Sequence, residues 1–248
     1  MCVQVGIIDA GVFFPDHVLI GVIAMLDARY SRNVPALSEQ ACEVLRAKKA
    51  AVIGCGGLGG HLIELLSRIG IGSIRVVDGD VFEESNLNRQ LLSQPSLLGC
   101  SKAEAAAARV RQINPQVHAE AVCMFLDERN AAALIAGCDV VLDALDSIPA
   151  RKGLEQACSD AGIPYLYGAI SGWVAQAAVS LPGDRLTQRL YPEEIVTRDN
   201  SVLSFTPAMC AAMQVSLCVR LLTGMPVEHG VLYHCDLLDP ELDRIPLL

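Results

Sequence analysis

A glycine-rich segment, GCGGLGG at residues 54–60, constrains the fold of this chain more than any other feature. It follows the apolar run KAAVIG and opens a stretch, LGGHLIELLSRIG, whose apolar residues recur at helical spacing. Glycines between a strand and a helix permit a tight turn, and they let the backbone approach a phosphate that the helix N-terminus favours. We therefore expect Gly54, Gly56, Gly57 and Gly59 to form a nucleotide-binding turn.

An acidic residue follows at the distance that a nucleotide site needs. The next predicted strand, SIRVVD, ends at Asp78, about 20 residues beyond the turn, where a carboxylate can accept hydrogen bonds from ribose hydroxyls. Strand, glycine turn, helix and acid together predict nucleotide binding. They do not distinguish NAD from ATP.

Predicted strands and helices alternate from KAAVIG to about residue 170, which predicts an α/β fold with a Rossmann-like, doubly wound, mainly parallel sheet. From residue 164 onwards, the strands PYLYGAI, WVAQAAVSL and GVLYHCDLL predict an antiparallel C-terminal part, which includes one long apolar helix, PAMCAAMQVSLCVRLLTG. Residues 183–206 are polar and predict irregular structure. Hydrophobic residues make up 52% of the chain and charged residues 19%, enough for a buried core.

Composition restricts the partners of the protein. A formal net charge of −9 argues against a nucleic-acid partner, because non-specific binders neutralise phosphates with a basic surface. The apolar run VLIGVIAML near the N-terminus is far shorter than the roughly 20 residues that span a bilayer, so we expect no membrane partner. Ten scattered cysteines without any C-x-x-C pair are typical of reduced thiols in a cytoplasmic protein.

The N-terminal segment 1–24 is an extension of uncertain status. It is apolar but broken by Asp9, Pro15 and Asp16, and it has neither a basic start nor a small-residue cleavage site. It predicts an extra strand or helix, or a gene-model extension upstream of Met25. We expect residues 25–248 to form a single nucleotide-binding domain.

Several segments in fixed order resemble the MoeB/ThiF/HesA family, the bacterial relatives of ubiquitin-activating enzymes, over roughly residues 25–240. The segments are ARYSRN, GCGGLGG, VVDGD, SNLNRQ, GCSKAEAA and DALDSIPAR. The resemblance implies a ThiF-type adenylation domain, in which a carboxylate attacks the α-phosphate of ATP and pyrophosphate leaves. In this family the carboxylate is typically the C-terminal glycine of a ubiquitin-like sulfur carrier protein ending in Gly-Gly.

The residue types suit that chemistry, because cations must hold two anionic reactants together and spread the developing charge. Arg89 offers a planar fork to two oxygens, and Lys102 offers a point charge. Asn86 can hydrogen-bond a phosphate or a metal-bound water. Asp146 is a hard oxygen ligand suited to Mg²⁺, with Asp80 as a second candidate.

Three further residues extend the predicted site. The resemblance implies that Arg32 reaches the γ-phosphate in a neighbouring subunit, hence a homodimer with composite sites. We expect Gln90 to contact the residues that bind the ligand instead of the ligand itself. Arg151 either pairs with Asp146 or holds its loop. Taken singly, Arg89 is more typical of a solvated loop, Lys102 of a first helical turn and Asp146 of a helix cap than of a catalytic site. Their joint order favours the functional interpretation.

Two features depart from the family pattern. Many relatives bind zinc through two C-x-x-C pairs, which this chain lacks, so we predict no zinc. The segment at 183–205, where some relatives carry a cysteine, contains none. This predicts a free acyl-adenylate that passes to a separate sulfur donor or an amine. Cys210 is the nearest alternative nucleophile, but it lies in an apolar helix, where a thiol is usually inert.

Other functions remain open from the sequence. The same chemistry could act on a different peptide or small-molecule carboxylate. A NAD-dependent Rossmann oxidoreductase would share the glycine turn but leaves SNLNRQ unexplained. A non-catalytic nucleotide-bound scaffold would not need Arg89, Lys102 and Asp146 together.

Overall fold

The computed structural model describes residues 27–192 and 201–247. The predicted N-terminal extension at 1–24 lies outside the described residues, and its status stays a prediction.

Eight strands and seven α-helices make up the described fold. The strands are β1 (Lys49–Ile53), β2 (Ser73–Val77), β3 (His118–Val122), β4 (Val140–Asp143), β5 (Tyr165–Ser171), β6 (Val174–Ser180), β7 (Val231–Asp236) and β8 (Glu241–Pro246). The α-helices are α1 (Glu39–Arg46), α2 (Gly57–Ile69), α3 (Lys102–Ile113), α4 (Ala131–Ile135), α5 (Ile148–Ala161), α6 (Leu186–Leu190) and α7 (Phe205–Leu222). Short 3-10 helices cover Ala28–Asn33, Glu84–Asn86 and Pro95–Leu97.

All eight strands form one sheet in the order β3-β2-β1-β4-β5-β6-β7-β8. Strands β1 to β5 pair in parallel, whereas β6, β7 and β8 join in antiparallel fashion. The predicted mainly parallel, Rossmann-like sheet with an antiparallel C-terminal part is confirmed. The antiparallel part begins one strand later than expected, because β5 pairs in parallel with β4 on one side and antiparallel with β6 on the other.

The position of β1 determines where a ligand can bind. Strand β1 lies between β2 and β4. The chain adds β2 and β3 on one side of β1 and then crosses to add β4 on the other side, so the carboxyl ends of these strands border a crevice. The loops after the strands are hydrogen-bonded to neighbouring strands: the amide of Gly54 donates to Val77 O at 2.8 Å, and that of Ala144 donates to Ile53 O at 2.9 Å. The residues that follow β1, β2 and β4 therefore lie side by side.

Apolar side chains fill both faces of the sheet. One buried cluster contains residues of α2, α3 and α7, and the other contains residues of α4 and α5. Helix α7 is long and apolar enough by composition to cross a membrane, but half of it is buried and it packs against α2, β5 and β6. These contacts make α7 a core helix of this fold.

Two elements in the C-terminal part were not predicted. Helix α6 forms where irregular structure was expected, because the buried carboxylate of Glu155 on α5 accepts hydrogen bonds from the amides of Leu186 and Thr187 at 2.7 and 2.8 Å. Strand β8 is an exposed strand at the edge of the described sheet, with charged residues interleaved, and it pairs with β7. Helix α6 depends on a distant partner that a local pattern does not reveal, whereas β8 forms a hairpin with β7, the strand directly before it in the chain.

Candidate nucleotide-binding site

A cleft of about 870 Å³ opens at the carboxyl ends of β1, β2 and β4. Its wall brings together most of the residues that the sequence predicts for the site, from segments far apart in the chain. These residues are Gly54, Gly56, Gly57, Asp78, Asp80, Arg89, Gln90, Lys102 and Asp146.

Close backbone packing explains two glycines of the turn, Gly54 and Gly59. Gly54 has φ +98°, and a Cβ there would lie 2.6 Å from Ala144 O. Gly59 lies behind the cleft wall, where a Cβ would overlap the carbonyl oxygen of Gly54. Helix α2 begins at Gly57 after Gly56, and its start has no side-chain cap. Its first amides are therefore suited to an anion such as a phosphate.

Asp78 anchors this turn. Its Oδ2 accepts a hydrogen bond from the Cys55 amide at 2.7 Å, and its Oδ1 accepts one from the Asp80 amide at 2.8 Å. A carboxylate has further lone pairs to offer, so the predicted contact with ribose remains compatible with these bonds. That contact stays a prediction.

Lys102 and Asp80 form an ion pair in the cleft wall. Lys102 is the first residue of α3, is buried, and donates through Nζ to Asp80 Oδ2 at 2.6 Å. The hydrogen bond from Lys102 lowers the pKa of Asp80. Asp80 would have to exchange this lysine for a cation to act as the second metal ligand, so that role stays a prediction.

The SNLNRQ segment places Arg89 and Gln90 beside the glycine turn. Arg89 donates through Nη1 to Ser85 O at 2.8 Å and to Asn88 Oδ1 at 3.0 Å. Gln90 is buried, and its Oε1 has no hydrogen-bond partner among residues 27–192 and 201–247. A buried, unpaired polar group in a cleft wall points to a missing ligand or water.

Asn86 makes hydrogen bonds within its own loop. It is buried outside the cleft lining, its Oδ1 accepts from the Glu83 amide at 3.0 Å, and its carbonyl accepts from the amides of Arg89 and Gln90. The asparagine thus shapes the loop that carries Arg89. Its predicted contact with a phosphate or metal-bound water remains untested.

Arg32 does not join the cleft of its own chain. It is exposed in the 3-10 helix Ala28–Asn33 and is absent from the cleft lining. A role for Arg32 at the site of a second subunit stays a prediction.

The carboxylate of Asp146 is exposed in the loop after β4, with no hydrogen bond or ion pair recorded among the described residues. No group of three or more His, Cys, Asp or Glu side chains suited to a metal occurs in this described part of the chain. Mg²⁺ typically uses one or two carboxylates together with substrate phosphates and water. A single free carboxylate beside a phosphate turn fits that mode of binding.

Arg151 pairs with Asp143 and not with Asp146. Its Nη1 lies 2.8 Å from Asp143 Oδ2, and both side chains are buried. Sequence reasoning missed Asp143, although an acidic residue inside the apolar strand VVLDAL signals a buried partner. It also missed Phe125, an exposed aromatic side chain in the cleft wall just beyond the end of β3.

The sequence predicts reduced thiols, and most of the described cysteines are both free and buried. Nine cysteines of the described chain are free, and seven of them are buried, while Cys100 and Cys123 are exposed. Burial raises the pKa of Cys210 to about 12, so its thiol stays protonated and is a poor nucleophile.

Two named proteins are similar in sequence to most of this chain. It is 34% identical over 230 residues to the SAMP-activating enzyme E1 of Haloferax volcanii, covering 88% of this chain and 84% of that protein. It is 33% identical to the adenylyltransferase and sulfurtransferase MOCS3 of Xenopus laevis over 88% of this chain. The chain spans about half of that second relative, 51% of its length.

A solved structure of Escherichia coli MccB with ATP superposes on the fold with a TM-score of 0.74, at 19% identity, over 90% of this chain and 72% of that one. At that identity the likeness establishes the fold alone. The model of the ThiF family matches residues 30–247, nearly the whole described chain. The protein therefore belongs to the ThiF family.

Proposed function

We propose that this protein is an ATP-dependent adenylyltransferase that activates a carboxylate and releases pyrophosphate. The observation that carries the proposal is the cleft itself, where a glycine turn, Arg89, Lys102 and the free carboxylate of Asp146 line one wall. Relatives at 33–34% identity are named as an activating enzyme and an adenylyltransferase. A dehydrogenase would have little use for this set of cations and acid.

In the proposed reaction, a carboxylate oxygen of the substrate attacks the α-phosphorus of ATP. The bond from that phosphorus to the bridging oxygen breaks, and the electron pair leaves with pyrophosphate. The amides of the glycine turn bind phosphate oxygens, while Arg89 and Lys102 offset the charge that builds on the phosphates. Lys102 would exchange Asp80 for a phosphate oxygen when ATP binds.

Asp146, with Asp80 as a second candidate, would hold Mg²⁺. The metal supplies charge neutralisation on the triphosphate when bound. This assignment rests on the carboxylate of Asp146 in the cleft wall, which has no partner in the part of the chain that the structure describes.

We propose that the substrate is the C-terminal glycine of a ubiquitin-like sulfur carrier protein ending in Gly-Gly. The names of the relatives support this class: one activates SAMP, and another combines adenylyl and sulfur transfer. Because residues 183–205 contain no cysteine, we propose that the acyl-adenylate passes to a separate sulfur donor.

The remaining features of the proposal concern assembly and location. We propose a homodimer in which Arg32 completes the neighbouring site, a cytoplasmic location in keeping with the free thiols, and no zinc, nucleic-acid or membrane partner. Elemental analysis that finds one zinc per chain would contradict the proposal that the protein binds no zinc.

ATP–pyrophosphate exchange tests the function directly. We expect exchange that requires Mg²⁺ and a small carrier ending in Gly-Gly, and that falls by about 100-fold or more in Asp146→Asn, because charge stabilisation at the phosphates is lost. Asp243→Asn, an exposed aspartate on β8 far along the sheet, is the matched control and should retain exchange.

Each negative result has a distinct meaning. Mg-ATP binding without exchange for any carrier would favour a different carboxylate or a scaffold. Thermal stabilisation by NADH but not by Mg-ATP would favour the oxidoreductase.

A further inference from the structure

Leu145, the residue directly before Asp146, is hydrogen-bonded through both its backbone amide and its carbonyl to one buried ion pair, Asp143–Arg151. The Leu145 amide donates to Asp143 Oδ1 at 2.8 Å, and the Leu145 carbonyl accepts from Arg151 Nη2. Arg151 Nη1 in turn donates to Asp143 Oδ2 at 2.8 Å. The three residues therefore form a closed ring of hydrogen bonds around the peptide that leads into Asp146.

This ring is anchored in the core. Tyr165 donates through its hydroxyl to Asp143 Oδ2 at 2.5 Å, and Arg151 Nη1 also donates to Gly168 O at 2.5 Å. The guanidinium of Arg151 lies 5.2 Å from the centre of the Tyr167 ring. Strands β4 and β5 and helix α5 are thus tied together at one cation, which leaves it little freedom to move.

The side chain of Asp146 contrasts with this ring, because no hydrogen bond or ion pair to it is recorded within the described residues. Helix α5 starts two residues later, and the Arg151 amide donates to Ser147 O at 3.0 Å. Among residues 27–192 and 201–247, only the backbone on either side fixes Asp146. The direction of its carboxylate therefore depends on the peptide that Arg151 and Asp143 hold.

We infer that Arg151 is a positioning residue, which fixes the Leu145 carbonyl so that the carboxylate of Asp146 faces the cleft and the divalent cation of bound ATP. The inference rests on the proposed function, because it assigns Asp146 to the metal. Lysine at position 151 would keep the charge beside Asp143, but a single ammonium lacks the planar fork that reaches Asp143 and Leu145 together.

The test compares ATP affinity with excess Mg²⁺ and with EDTA, measured by isothermal titration calorimetry on the full chain. For the wild type we expect Mg²⁺ to tighten ATP binding. In Arg151→Lys we expect this enhancement to fall by about tenfold or more, while the affinity in EDTA stays within about twofold, as in Asp146→Asn. Arg151→Met is the second variant, which removes the charge and the fork together.

Glu155→Gln is the matched control, because Glu155 is a buried acid on the same helix whose carboxylate contacts Ser180, Leu186 and Thr187 instead of the Asp146 loop. It should lower the melting temperature and leave the Mg²⁺ enhancement unchanged. This variant separates general damage to α5 from the loss of positioning.

Two results would overturn the inference, and they differ. A wild-type Mg²⁺ enhancement in a folded Arg151→Lys protein, with lower stability alone, would make Arg151 purely structural while Asp146 keeps its role. If Asp146→Asn also retains the full enhancement, the assignment of Asp146 to the metal fails, and the positioning role fails with it.

Discussion

Two cation–carboxylate pairs border the cleft, and they differ in exposure. In the Asp143–Arg151 pair the side chains are 0% and 7% exposed, whereas in the Asp80–Lys102 pair the carboxylate is 47% exposed and the lysine 7%. The first pair is sealed in the core and bonded to several backbone groups. The second meets solvent on its acidic side.

The difference in exposure gives the pairs different roles. Burial alone would lower the pKa of Arg151, but the charge of Asp143 outweighs it and raises that pKa, so Arg151 stays protonated. Lys102 can exchange a half-exposed carboxylate for a phosphate without leaving a buried charge unpaired. Under the proposed function, the buried pair would hold one loop still and the open pair would release one cation to the phosphates.

Breaking the sealed pair should have the largest effect on stability. Arg151→Met leaves Asp143 buried without its cation, so we expect the free energy of unfolding to fall by about 3–5 kcal/mol. Chemical denaturation with a linear extrapolation measures this change.

The double variant Asp143→Asn with Arg151→Met is the control for the sealed pair. It should be less destabilised than the sum of the two single variants, because neither charge is then left alone. If Arg151→Met lowers the free energy of unfolding by less than about 1 kcal/mol, the buried pair is no more important for stability than the open pair, which contradicts the comparison.

The glycine turn between the two pairs provides the next test. Gly59→Ala places a methyl group against the Gly54 carbonyl, so we expect a loss of about 1–3 kcal/mol in stability, together with weaker ATP binding. Gly153→Ala on α5 is the matched control, because nothing lies within 4 Å of its Cβ position.

Helix propensity predicts that Gly153→Ala is neutral or stabilises by up to about 1 kcal/mol. Thermal melts and ATP titrations of both glycine variants decide the comparison. Equal behaviour of the two would show that close packing at Gly59 is unimportant.

The open pair should contribute least to stability. Asp80→Asn removes a half-exposed partner, so we expect a change in the free energy of unfolding below about 1 kcal/mol. ATP should bind as tightly as to wild type or more tightly, because Lys102 no longer has to leave a carboxylate. Weaker binding by tenfold or more would instead support Asp80 as a metal ligand.

The pH dependence of this pair has a definite sign. Hydrogen bonding to Lys102 lowers the pKa of Asp80 in the folded state, so its stabilisation is present above the unfolded pKa of about 3.9 and is lost as pH falls through the folded value. The small stability difference between wild type and Asp80→Asn should be constant above about pH 5 and vanish in more acidic solution. Denaturation curves at several pH values check this.

The sequence was sufficient for the parts of the site that repeat a local pattern. Gly54, Asp78 and Lys102 each stand at the end of a strand or the start of a helix, and a doubly wound sheet brings such positions to one edge. Strand and helix order therefore predicted the fold, the glycine turn and Asp78, whereas the roles of Arg89, Lys102 and Asp146 were expected from the family resemblance.

The partners of charged residues were less accessible from sequence. Nothing local indicates that Arg151 turns inward to Asp143, or that Asn86 closes its own loop instead of lining the cleft. Helix α6 likewise depends on Glu155, which lies about 30 residues earlier in the chain. Such contacts are decided by packing, since a buried charge must find a partner wherever the fold places one.

The most direct test of the central claim is the intact mass of a Gly-Gly carrier after incubation with the protein and Mg-ATP. We predict that the carrier gains one adenylyl group, that pyrophosphate appears in equal amount, and that no carrier–enzyme adduct forms in the absence of thiol reductant. An unmodified carrier together with ADP and inorganic phosphate would contradict the account, because the γ-phosphate, and not the α-phosphate, would then be the one attacked.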